Sequence, residues 1–165
     1  MKKWIFAVCI AFIGAAAAGI WYFLIMKDQR EVRELVNNVT VLVGKKGGDL
    51  PHAGIFKHNK VDELFAEKIA FSISKPDMEV ELSREDLKGR VALLLRMIDR
   101  MQVDAENIRV EVAGDAAVFE FDARVNGKIK NGHADFSDVY RCSGAAVKVD
   151  GRWLMSLLTA VPVVK

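Results

Sequence analysis

Asp138 and Tyr140 are the residues of this chain best placed to do chemistry. They stand two apart in a long strand-like run, so alternation puts them on one face with Ala134, Phe136 and Cys142. A carboxylate held among aromatic rings loses solvation, and its raised pKa lets it serve as a general base. A phenol beside it can donate a hydrogen bond to a developing oxyanion. The plainer reading is that Asp138 marks a bulge, reaches water at a rim or pairs with a cation.

The remaining candidates are thinner. His133 and Asp135 lie two apart on the other face of the same run, where a solvated pair beside the Asn131-Gly132 turn signal accounts for them. His52 and His58 fall in a loop-like stretch without a nearby cluster of ligand types, so neither a metal nor a cofactor is expected. Cys9 and Cys142 belong to segments of different character and are not expected to pair. Cys142 reads as a small buried residue. Lys45-Lys46 can be solvated or meet anionic headgroups.

The elements that must position these residues begin with the uncharged run Trp4–Met26, set behind Lys2 and Lys3. As a helix it is long enough to cross the roughly 30 Å of a bilayer core. Trp4 stands near one end and Trp21-Tyr22 near the other. Ala15-Ala16-Ala17 could be a cleavage site, but apolar residues continue unbroken to Met26, so a retained signal-anchor is expected. Lys2 and Lys3 are balanced by Lys27, Arg30 and Arg33, and the export-like start places the domain on the non-cytoplasmic side. The sequence thus divides into a signal-anchor over 1–27, a connecting helix and loop over 28–56, and an α+β domain over 57–165.

Val32, Leu35, Val36, Val39 and Val43 form a helical stripe. Asn59 is expected to cap a second helix with Val61, Leu64, Phe65 and Ile69 on its apolar face. Met78, Val80 and Leu82 alternate with Glu79 and Glu81 as a strand, and Ser83 with Asp86 opens a third helix through Leu87, Val91, Leu94, Leu95, Ile98 and Met101. Four strands follow, with turn signals at Gly114-Asp115, Asn126-Gly127, Asn131-Gly132 and Asp150-Gly151. The last strand, from Arg152, is apolar on both faces and therefore interior, which predicts burial of both Trp153 and Leu157.

The segments "VAGDAAVFEFDARV" (Val112–Val125), "VKVDGRWLMSLL" (Val147–Leu158) and "MEVELSREDLKG" (Met78–Gly89) resemble the nuclear transport factor 2-like superfamily, with its SnoaL-like and ketosteroid-isomerase-type domains. The resemblance implies a cone: about three helices on a curved, mostly antiparallel sheet, with a cavity at the open end. Phe119, Phe121 and Phe136 would line that cavity. Enzymes of the superfamily place Asp, His or Tyr side chains there, which brings Asp138 and Tyr140 forward as candidates for an isomerase or dehydratase.

The net charge of +2, from 24 basic and 22 acidic residues interspersed along the chain, argues against a nucleic-acid surface. The expected function is a membrane-tethered, non-catalytic interaction or assembly module of the cell envelope. Its expected partners are the bilayer, through residues 4–26, and another protein or a second copy of the chain. A hydrophobic-ligand carrier and the enzyme are the alternatives.

Overall fold

The stripe Val32, Leu35, Val36 and Val39 forms one face of a helix, and Leu42 completes it. In the computed structural model the backbone is described over residues 2–45, 53–74, 77–130 and 135–163, and side chains over 22–45, 59–74, 78–130 and 135–163. The elements run α1 (Lys2–Val43), α2 (Ala53–Leu64), β1 (Phe65–Ser74), β2 (Asp77–Ser83), α3 (Arg84–Met97), β3 (Ile98–Ala113), β4 (Ala116–Ile129), β5 (Asp135–Val149) and β6 (Arg152–Pro162).

The strands form one curved sheet in the order β2-β1-β6-β5-β4-β3, and only the β1–β6 pairing is parallel. The final strand lies inside the sheet, as its apolar composition requires. α1 packs mainly on β3, and its Val32, Val36 and Leu42 are wholly buried in a core shared with Ile69, Phe119 and Met155. Residues 28–43, expected as part of a connector, therefore contribute to the core of the domain.

Several boundaries differ from the sequence expectation. α2 begins at Ala53, so Asn59 lies inside the helix and caps nothing. Phe65 and Ile69 belong to β1, because the period of two through Ile69, Phe71 and Ile73 prevails after Leu64. Ser83 does cap α3, accepting from the Asp86 amide at 3.1 Å, but the helix ends at Met97 and hands Ile98 and Met101 to β3. Asn126-Gly127 is not a turn; it lies within β4. The Gly114-Asp115 and Asp150-Gly151 turns form as expected, with Asp150 (φ 50°) and Gly151 (φ 75°) both left-handed.

β6 carries an irregularity that the alternation conceals. Ala146 pairs with Met155 and Ala145 with Leu157, leaving Ser156 without a register partner, its hydroxyl donating to the Ala145 carbonyl at 3.3 Å. Beyond this bulge the faces exchange. Trp153 and Met155 point into the core, whereas Leu157 turns outward and is 38% exposed. The expectation that both Trp153 and Leu157 are buried therefore holds only for Trp153.

Among the described residues no helix is long and apolar enough to cross a membrane. The transmembrane helix expected over 4–26 is thus not shown. The side chains of Trp4–Trp21 on which it depends lie outside the described set.

Candidate functional site

The inward face of the wing formed by β3, β4 and β5 is built in rows, because directly paired residues share a face. Met101, Gly127 and Phe136 make the outermost row, then Val103, Val125 and Asp138, then Ala105, Ala123 and Tyr140. Deeper still come Phe121 with Cys142, and Phe119 with Gly144.

This order separates the expected cavity residues. Phe119 (1% exposed) and Phe121 (6%) are core, their ring centroids 6.1 Å apart. Phe119 fills the place a side chain would take at Gly144, where an added β-carbon would lie 2.5 Å from its ring. Phe136 instead sits half-buried at the rim, its ring laid over Gly127, where a β-carbon would also lie 2.8 Å from the Arg100 carbonyl. Close approach, not turn geometry, is what requires glycine at Gly127.

Asp138 shares a face with Tyr140 but is exposed, while Tyr140 is half-buried against the core. Cys142 is buried, and its thiol is pushed up to about 11 by burial and by the nearby charge of Asp122, which suits a structural role. His133 and His52 lie outside the described residues, as does the side chain of His58. Among the described residues no group of three or more His, Cys, Asp or Glu side chains is placed to hold a metal ion.

What the wing does form is an open groove of about 930 Å³. One wall is the end of α1 with Thr40, Val41, Gly44 and Lys45; the others are Arg100–Asp104 of β3, Asn126 and Gly127 of β4, and Asp135, Phe136 and Ser137 of β5. Its apolar lining residues are Val41, Met101, Val103 and Phe136. Arg100, Gln102, Asp104, Asn126, Asp135 and Ser137 alternate with the inward rows, and on the opposite face Arg100 meets Asp135 at 3.5 Å, Gln102 meets Asp104 at 2.9 Å, and Ser137 meets Asn126 at 2.7 Å.

Lys45 fixes the groove wall in a way the sequence did not announce. Its backbone pairs with Met101 in both directions, at 2.6 and 2.8 Å. Its ammonium donates to the carbonyls of Leu95 and Ile98 at 2.8 and 2.7 Å, covering the negative end of α3. The expected solvated lysine is thus a structural tie among α1, α3 and β3. Lys88 is covered as well: it is 8% exposed and bonded to Glu85 at 2.6 Å and Asp62 at 2.9 Å. The hydrogen bonds to Glu85 and Asp62 raise its pKa against the opposing effect of burial.

Comparison with known proteins matches residues 56–158 to the SnoaL-like domain. Similar solved structures include a candidate scytalone dehydratase from Novosphingobium aromaticivorans, 15% identical over 82% of this chain and 83% of its own, with a TM-score of 0.66. A nuclear transport factor 2-like superfamily protein from Salmonella enterica is 13% identical over 82% of this chain and 91% of its own, also at 0.66. A candidate dehydratase of that family from Streptomyces avermitilis is 12% identical over 84% and 98%, at 0.65. At these identities the likeness is one of fold. No curated protein is similar enough in sequence to match. The strand order is like that of nuclear transport factor 2-like structures, and the family match over residues 56–158 decides the assignment: the chain belongs to the SnoaL-like domain family.

Proposed function

We propose that this chain is a membrane-tethered, non-catalytic interaction module of the cell envelope. The observation that carries the reading is the continuity of α1 from Lys2 to Val43. Its first part carries the uncharged run Trp4–Met26, and its second part is the core helix of the domain. An anchor built this way holds the domain in a set attitude on a stiff stem. The burial of Phe119, Ile69 and Met155 in one core supports the non-catalytic part.

Carbonate washing and vesicle flotation of the full chain, followed by crosslinking and pull-down from detergent, test both halves. Retention in the membrane with a reproducible partner or homodimer is expected. Release by carbonate would remove the anchor, and a bare monomer in several detergents would count against the module.

The groove favours a second reading, a carrier of hydrophobic ligands, because Met101, Val103 and Phe136 give it an apolar strip. A small molecule retained by the purified protein in native mass spectrometry would support the carrier; an empty groove would count against it. The enzyme reading with Asp138 and Tyr140 draws on fold likeness to candidate dehydratases, which by itself carries no activity.

A further inference from the structure

α1 enters the domain at one end of the sheet and stops at the other, and this orients every other surface. We infer that the Asp150-Gly151 turn, with the neighbouring Gly114-Asp115 turn, is the face of the domain that rests against lipid headgroups, leaving the groove on the far side. The inference rests on the anchored reading of residues 4–26 and adds to it a contact surface and a direction.

The geometry comes from the point where α1 meets the sheet. Asp28, two residues beyond Met26, accepts from Lys148 Nζ at 2.6 Å and from Trp153 Nε1 at 3.2 Å. Two residues of helix rise only about 3 Å, so this contact lies close to the end of the apolar run. Asp150 stands two residues beyond Lys148, about 7 Å along the strand. The Lys148 amide donates to the Asp115 carbonyl at 2.8 Å, which brings the second turn to the same level. The left-handed pair Asp150 and Gly151 keeps the hairpin tip short.

The surface chemistry is compatible with a lipid interface. Lys27, next to Asp28, and Arg152, next to the turn, are exposed cations, and Val149 is 46% exposed beside it. Asp115 and Asp150 are exposed anions at the turns themselves, so helix continuity and the Asp28 clamp set the contact more than net charge does.

At the opposite end, Thr40, Val41, Gly44 and Lys45 line the groove. Val41 lies fifteen residues beyond Met26, roughly 22 Å along the helix. An unbent α1 therefore holds the groove away from the bilayer, and its occupant arrives from the aqueous side.

The test uses the full chain with Cys9→Ala, carrying a fluorophore at Val149→Cys, Arg152→Cys or Met97→Cys. Met97 is the far-end reference, since the Lys45 tie places the end of α3 beside the end of α1. Each variant is reconstituted into phosphatidylcholine–phosphatidylglycerol vesicles with spin-labelled headgroups in both leaflets. Quenching several-fold stronger at both tip positions than at Met97 is expected. Equal quenching, or stronger quenching at Met97, in protein that floats with the vesicles overturns the orientation and leaves the anchor standing. Protein that does not float removes the anchor and the inference together.

Discussion

Asp28 and Lys148, 120 residues apart in the chain, form a 2.6 Å ion pair that fastens α1 to the β5–β6 hairpin. Both side chains are largely covered, at 17% and 25% exposure, and the Trp153 indole completes the cluster from β6. The Lys148 ammonium also lies 5.5 Å from the centre of the Trp153 ring. The pair fixes α1 on the sheet at the end opposite Lys45.

Burial alone would raise the Asp28 pKa, but hydrogen bonds from Lys148 and Trp153, with the charges of Lys148 and Lys27, outweigh it and leave the carboxyl below its ordinary 3.8. The stability it contributes is therefore present above that value and lost as pH falls through the lower folded value. Lys148 is raised above 10.5, chiefly by its hydrogen bond to Asp28, so its share is present below that pH and lost as pH rises through the folded value. Asp28→Ala is expected to cost about 1.5–3 kcal/mol near neutrality, with the deficit shrinking at both extremes. Denaturant midpoints of wild type and variant across pH check this; a deficit that ignores pH would show that the pair is not its source.

Lys45 supports a second prediction. Its ammonium serves two carbonyls at the end of α3, so Lys45→Met keeps the aliphatic stem and removes only the donor. A loss of about 1–3 kcal/mol is expected, with faster amide exchange in the last turn of α3 and at Met101. Unchanged exchange there would mean that the backbone pairing of Lys45 with Met101 suffices without the side chain.

The elements with strong periodicity were legible in the sequence, and so was the fold. The Ser83 cap, the β3–β4 and β5–β6 turns and the interior position of β6 all follow from local rules. What escaped depends on register and on distant partners. Nothing near Ser156 signals the bulge that turns Leu157 outward, because Leu154, Leu157 and Leu158 look alike in an apolar strand. Gly127 reads as a turn residue until Phe136 is seen lying on it. Lys45 reads as a solvated or headgroup-facing charge because its partners Leu95 and Ile98 lie 50 and 53 residues away. At the candidate site, alternation correctly put Phe136, Asp138 and Tyr140 on one face, but not their depth. That depends on where α1 stops covering the sheet.

The bulge makes the two faces of β6 separable. Trp153 is 5% exposed and anchored by Asp28, so Trp153→Ala is expected to cost about 3–5 kcal/mol. Leu157 is 38% exposed on the outer face, and Leu157→Ala should cost less than about 1.5 kcal/mol in the monomer. A larger Leu157 penalty that grows with protein concentration would place this face in an interface between copies.

Cys142 provides a test of the packed interior next to Tyr140. Its thiol is 4% exposed, and burial together with the charge of Asp122 pushes its pKa from 9.0 up to about 11. The thiolate is the reactive form, so in a Cys9→Ala background Cys142 should resist alkylation at pH 8 unless the domain opens. Because the folded state favours the protonated thiol, its contribution to stability is present below pH 9 and lost as pH rises towards 11. Labelling at a series of denaturant concentrations should follow global unfolding. Rapid labelling of the folded chain would mean that water reaches Cys142 through the space between Tyr140 and Phe121, and the interior would then have to be regarded as an open cavity. A serine at this position adds a hydroxyl to the same buried site, and Cys142→Ser is expected to cost about 1–3 kcal/mol where no acceptor is in reach. A neutral Cys142→Ser would likewise indicate water at that depth.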